Sequence, residues 1–509
     1  MARTADFDLA AALRSPSFTP GARDLTALVE LVLAGDDRAP AAIAQLAGAR
    51  EALVAKLDDE DDGRRARGVT ALGVIARRGD RPAGELVIQR IGDRSPRVRR
   101  AAILALGKLA DIGTGALLAR WDEADVTPDE RRALAEALGK LGGDAALAKL
   151  RALDPAADAE LARRRDRAVL VAERDAARGD DSSVRDDVDA RGATIVLRCK
   201  SGFAPLLAAE SSGKAIADDA VTLELAGPWR ELWRSRLWMT AGIRIARTGN
   251  EPDAIARAIV GAAPLLVAWT RGPVRWRLDV GAGKQRATIW KVAKLVRDAA
   301  PMLINDPTST TWDIAIEADH LELRPRRVVD PRFAYRVADV PAASHPTVAA
   351  ALAFVAGARP GDRVWDPFCG SGLELIERAK LGPVATLAGT DLADAALAAA
   401  RANLDSAHVT AQLERGDSRA ARGDGDIDLA ISNPPLGSRV QVDAPALLAD
   451  ALPVIARRLA PKGRLVWIVP AHAQRRLAAI ATRLGLRTER ELPVDLGQGR
   501  SMLVHLSRP

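Results

Sequence analysis

A chain of 509 residues with 48% hydrophobic content is long enough for about two to four domains, each with its own core. A net charge of +7 and a pI of about 9.7 point toward an acidic partner such as nucleic acid, although an Arg- and Ala-rich composition raises the pI by itself. The two cysteines, Cys199 and Cys369, lie far apart and exclude a disulfide framework or a Cys-x-x-Cys metal site, so no metal is expected. Arg3, Asp6 and Asp8 precede any apolar run, and no apolar stretch reaches the roughly 18 residues of a membrane span. A cytoplasmic protein without membrane contact is the expectation.

Residues 1–24 carry no motif. From 25 to 150 the chain is rich in Ala, Leu and Arg and repeats itself. The stretch Arg67-Gly68-Val69-Thr70-Ala71-Leu72-Gly73 aligns with one ending Leu106-Gly107-Lys108-Leu109 and with another ending Leu138-Gly139-Lys140-Leu141. Gly73, Gly107 and Gly139 are 34 and then 32 residues apart, a period that means stacked helical units. Asp93-Arg94-Ser95-Pro96 reads as the turn that opens one helix of a unit. These features resemble HEAT-like repeats, an α-solenoid whose usual role is to bind a protein or RNA partner. The alternative is a passive stabilising appendage. Residues 151–190 are charged, including Arg163-Arg164-Arg165 and Asp180-Asp181, and read as one more helix followed by a linker.

Strand-like patterning begins at Thr194-Ile195-Val196-Leu197-Arg198 and alternates with helical patterning to about residue 330. Val221 to Leu225 and Arg275 to Val280 read as strands, Thr288 to Ala299 as a helix, and Trp312 to Leu323 as a hairpin. Residues 191–330 are therefore expected to form an α+β module. Segment 271–300 holds eight basic residues, among them Lys284, Arg286, Lys291 and Lys294, against Asp279 and Asp298. Such a patch suits phosphate contacts, or else a solvated face. Trp276 and Trp290 lie within it and are expected in the core rather than stacked on bases.

Residues 331–509 alternate strands and helices with a regularity that gives an open, mostly parallel sheet and a ligand at the carboxyl ends of its strands. The last two strands, near 487–492 and 502–507, adjoin in sequence and allow an antiparallel edge. Asp366-Pro367-Phe368-Cys369-Gly370-Ser371-Gly372 closes one strand and opens a helix, and its glycines let the backbone approach a ligand closely. Ser432-Asn433-Pro434-Pro435 closes another strand with a rigid turn carrying an amide.

In this order the two motifs resemble the cofactor and catalytic loops of amino-directed methyltransferases that use S-adenosylmethionine. The resemblance implies cofactor binding by Asp366, Phe368, Cys369, Gly370, Gly372, Asp391, Leu392, Asp417 and Ser418. Asp391 ends the next strand, where an acid accepts from ribose hydroxyls, and Asp417 follows the third strand near the adenine amine. Asp is also a favoured cap and turn residue, which is the plain reading of either position. Ser432, Asn433, Pro434 and Pro435 are the candidate catalytic residues. The Asn433 side-chain oxygen and the Pro434 carbonyl can accept both N–H bonds of an exocyclic amine and hold its lone pair toward the methyl group.

Residues 193–509 further resemble the THUMP-containing RNA methyltransferases that make N2-methylguanosine. Ser344-His345-Pro346-Thr347 matches the helix before the cofactor loop, Pro331-Arg332-Phe333-Ala334-Tyr335-Arg336 the connector, and Gly281 to Arg286 with Asn305-Asp306-Pro307 parts of the THUMP module. The implied architecture is an N-terminal α-solenoid, a central α+β THUMP-like module at 191–330, and a C-terminal α/β Rossmann-like methyltransferase domain at 331–509 with a seven-stranded sheet. The implied substrate is RNA, tRNA first and 23S ribosomal RNA next. One departure is Leu436, where the family carries an aromatic that stacks on the target base, a contact worth ~1–3 kcal/mol. Guanine N2 and adenine N6, the latter in RNA or DNA, therefore both stay open, as does a non-catalytic RNA-binding scaffold.

Overall fold

From Leu25 to Ala176 the described residues of the computed structural model form helices and no strand. Described are residues 8–14, 18–155, 158–176, 181–281, 285–341, 343–436, 443–497 and 499–509. Helices Asp62–Ala76, Pro96–Leu106, Pro128–Leu141 and Ala159–Ala176 stack in succession. The first three begin at a side-chain cap, supplied by Asp61, Ser95 and Thr127, and Pro96 and Pro128 occupy the first helical position. The repeated glycines mark where neighbours cross. A Cβ on Gly73, Gly107 or Gly139 would lie 2.7, 2.7 or 2.4 Å from the Cβ of Ala105, Ala137 or Ala168. A second ladder is ionic: Arg65 pairs with Asp93 at 3.1 Å, Arg99 with Glu130, and Arg132 with Asp158 at 3.0 Å. Gly107→Val should wedge two helices apart and lower stability by about 1–3 kcal/mol, read by thermal unfolding of the full chain.

The segment 151–190, read from sequence as a helix and then a charged linker, contributes Ala159–Ala176 to the stack, where Ala168 offers Gly139 a small partner. The same helix meets the central module. Arg167 lies over the Trp290 ring at 4.8 Å, and Asp166 pairs with Lys294 at 3.4 Å.

The central module is an eight-stranded mixed sheet in the order Lys214–Ala217, Ala220–Glu224, Thr194–Arg198, Thr240–Ala246, His320–Pro325, Trp312–Ile316, Val274–Asp279, Leu303–Asn305. The expected hairpin is present, with Leu321 opposite Ile316. Trp229, Trp276 and Trp312 are fully buried in its core.

The C-terminal domain has seven strands: β1 (Asp362–Asp366), β2 (Val384–Asp391), β3 (Gln412–Arg415), β4 (Ile427–Ser432), β5 (Leu459–Pro470), β6 (Arg487–Asp495) and β7 (Arg500–Ser507). Their order is β3-β2-β1-β4-β5-β7-β6, with β7 antiparallel to both neighbours and the other six strands running in one direction. Order reverses beside β1, the switch point at which open α/β sheets bind ligands. The helices are α1 (Pro346–Ala356), α2 (Leu373–Lys380), α3 (Asp394–Ser406), α4 (Ala444–Arg458) and α5 (Gln474–Arg483). At the amino end of β1, buried Asp362 holds Arg378 and Arg464, each at 2.7 Å, and so ties α2 and β5 to β1.

The domains are joined through the connector. Arg236 of the central module reaches Glu377 of α2 with bonds of 2.6 and 2.8 Å and also donates to the Arg332 carbonyl. Tyr335 gives its hydroxyl proton to the same Glu377, while Arg332 stacks 3.4 Å over Trp238. Among the described residues no single helix is long and apolar enough to cross a membrane.

Candidate active site

Two loops meet at the carboxyl ends of β1 and β4. The first turns through Gly370 (φ +47°) and Gly372 (φ +79°), values that favour glycine. A Cβ on Gly370 would meet nothing within 4 Å, whereas one on Gly372 would lie 3.2 Å from Ala400 Cβ. The first glycine thus leaves an open cradle, and the second lets α2 close on α3. Asp391 fixes the loop by accepting from the Gly370 and Ala393 backbone amides, each at 2.9 Å. The Cys369 amide donates to the Thr390 carbonyl at 3.0 Å. Burial pushes the Cys369 thiol up, so this residue is a small apolar filler rather than a nucleophile.

The second loop is clamped to the first. Ser432 donates to Asp366 Oδ1 at 2.7 Å, and the same oxygen accepts the Phe368 amide at 3.0 Å. The other Asp366 oxygen is buried without a partner. Burial, with Glu374 nearby, holds the Asp366 carboxyl well above the usual range. Asn433 donates from Nδ2 to Ser344 Oγ at 2.9 Å, Ser344 in turn donates to Glu374 Oε1, and Asn433 Oδ1 is left buried and unpaired. Glu374, 3% exposed, is pushed up to about 7 by burial. Pro434 is buried and Pro435 half-buried, and Leu436 packs partly against the core rather than standing free.

The other expected cofactor residues lie along the same edge. Leu392 is 62% exposed beside Asp391, and Phe368 is half-buried. Asp417 caps its own short helix and pairs with Arg419 at 2.7 Å, which holds its carboxyl below the usual range. Ser418 is buried. His345 caps α1 and is kept toward its neutral form by burial.

Several cations of the basic segment have acidic partners. Lys284 falls outside the described residues. Lys291 pairs with Asp253 at 2.8 Å, Lys294 with Asp298 and Asp166, and Arg277 with Asp313; Arg275 is buried. Asp253 and Asp313 come from other elements of the central module, and Asp166 comes from the last helix of the solenoid. Arg271 and Arg286 are exposed.

S-adenosylmethionine fits this edge by two observations: the open cradle at Gly370 and an unpaired buried carboxylate oxygen on Asp366. Gly370, Asp366 and Leu392 would hold it. Three contributors escaped the sequence reading. Asn403 donates to the Ser371 carbonyl at 3.0 Å and accepts from Val337 and Ala338, stapling the connector to the cofactor loop. Its signal is an amide on the buried stripe of Ala396, Leu397, Ala400 and Leu404. Ser344 stood only within the pre-loop motif. Glu374 resembles any acid in the first turn of a helix.

Residues 334–500 match the RMKL-like methyltransferase domain, and residues 50–133 match HEAT repeats. The chain is 32% identical over 140 residues to the tRNA (guanine(10)-N2)-dimethyltransferase of Methanothermobacter thermautotrophicus, covering 27% of this chain and 39% of that protein. It is 41% identical over 98 residues to the tRNA (guanine(6)-N2)-methyltransferase of Thermus thermophilus, covering 19% of this chain and 29% of that protein. The chain thus spans well under half the length of either relative. The crystal structure of TrmN from Thermus thermophilus superposes with a TM-score of 0.51 at 21% identity, covering 62% of this chain and 99% of that one. The likeness in fold therefore reaches beyond the C-terminal methyltransferase domain.

Proposed function

We propose that this protein transfers a methyl group from S-adenosylmethionine to the N2 amine of a guanosine in tRNA. The observation that carries the reading is the unpaired, buried Oδ1 of Asn433, at the carboxyl end of β4 and clamped to the Gly370 loop through Ser432 and Asp366. An exocyclic amine needs two acceptors, and on this reading Asn433 Oδ1 and the Pro434 carbonyl supply them. When bound, the cofactor supplies an electrophilic methyl group. The protein's part is orientation: it holds the amine nitrogen in line and keeps water from its lone pair.

The names of the two curated relatives support guanine N2 over adenine N6 and tRNA over ribosomal RNA. The central module is read as THUMP-like, holding RNA through its backbone. Charge distribution supports this: residues 25–176 contain 26 Lys or Arg and 26 Asp or Glu, so the net +7 resides outside the solenoid. The solenoid is accordingly read as a surface for a protein partner. The test is transfer from labelled S-adenosylmethionine to total tRNA and to ribosomal RNA, followed by nucleoside analysis. N2-methylguanosine in tRNA is expected. N6-methyladenosine would redirect the base assignment, and cofactor binding without transfer would favour a scaffold.

A further inference from the structure

We propose that Glu374, acting through Ser344, sets which end of the Asn433 amide faces the reacting amine, so that the loop is competent only while Glu374 is ionised. The catalytic consequence rests on the methyl-transfer reading above; the amide orientation does not.

The argument is one of donors and acceptors. Ser344 has a single hydroxyl proton. An ionised carboxylate only accepts, so Glu374 takes that proton and Ser344 must offer its lone pair to Asn433 Nδ2. That bond turns Oδ1 away from Ser344, into the buried, unpaired position in which an amine N–H would find it. A proton taken up from solvent by Glu374 reverses the chain. The carboxyl group then donates to Ser344, the serine proton swings toward Asn433, and the amide turns over to accept it. Two N–H donors would then face the amine, which has no use for them. Ser344 and Glu374 are positioning residues in this scheme, and neither touches the substrate.

The surroundings make the carboxyl group responsive near neutrality. Glu377 faces it from one turn further along α2, held by Arg236 of the central module and Tyr335 of the connector. Asp366 and Cys369 face it from the loop after β1, with Asp391 behind them at the end of β2. The two β4-loop residues packed beside it, Ser432 and Asn433, carry no charge. Burial in this largely acidic company is what moves its titration up to about 7.

The chain has four asparagines, at 250, 305, 403 and 433, so selective ¹⁵N-asparagine labelling of the full protein yields four side-chain amide pairs. Asn433→Ser assigns the relevant one. Followed from pH 5.5 to 8.5 without ligand, the Asn433 pair should shift in a single step near pH 7, while the step vanishes in Glu374→Gln and in Ser344→Ala. A step that persists in Glu374→Gln, or an Asn433 pair that does not move across the range, overturns the proposal. In turnover assays the acid limb of the kcat profile should be about tenfold per pH unit below 7 and flatten in Glu374→Gln, with the KM for S-adenosylmethionine little changed. An acid limb that survives Glu374→Gln also overturns it. Wild-type protein that transfers no methyl group at any pH would sink the methyl-transfer reading instead, and the amide titration would still decide the relay.

Discussion

Asn433→Ala is expected to lower kcat for methyl transfer by roughly 10²–10³-fold, the scale for losing one preorganised polar group that meets developing charge. The substitution removes Oδ1, the acceptor that holds the amine, and Nδ2, the donor that reads Ser344. It leaves intact the clamp between Ser432 and Asp366 and the Gly370 turn, so the affinity for S-adenosylmethionine should change less than about threefold. Titration calorimetry with the cofactor and single-turnover kinetics with tRNA separate the two quantities. A variant that keeps wild-type kcat would remove Asn433 from the chemistry altogether.

Arg236→Ala should cost about 3–5 kcal/mol, because it strips the partner from a carboxylate that is almost fully buried. Glu377 would be left with the Tyr335 hydroxyl alone, and the Arg332 carbonyl would lose its donor. Since these groups join the central module to α2 and the connector, the loss should appear as earlier unfolding together with proteolytic cleavage near residues 330–340. Replacing the pair together, Arg236→Met with Glu377→Gln, removes the stranded charge and should recover much of the stability. A double variant no more stable than Arg236→Ala would show that the joint depends on the charges themselves.

What the sequence made legible was local. Strand and helix alternation in the last third, the two loop motifs and the glycine period are each written within a few residues of one another. The structure gives the glycine period a physical cause in the Gly107 and Ala137 approach. The relay was not legible, because Ser344 and Asn433 are 89 residues apart and no pattern in either neighbourhood announces the other. The partners of the basic segment were hidden for a related reason. Counting charges between 271 and 300 misses Asp253, Asp313 and Asp166, which arrive from other elements to pair with Lys291, Arg277 and Lys294. Asp417 stands after the third strand as expected, and its pairing with Arg419 and its helix cap are local features two residues away.

The glycine–alanine crossings also give the helical stack a direction. Each helix leans only on its neighbours, so the array opens by peeling rather than all at once. Its last helix, Ala159–Ala176, is pinned against the central module by Arg167 on Trp290 and Asp166 on Lys294. Peeling therefore starts at the far end, and amide hydrogen exchange should slow progressively from Leu25 toward Ala176. A partner that grips the early repeats would hold the looser end of a spring anchored at the other.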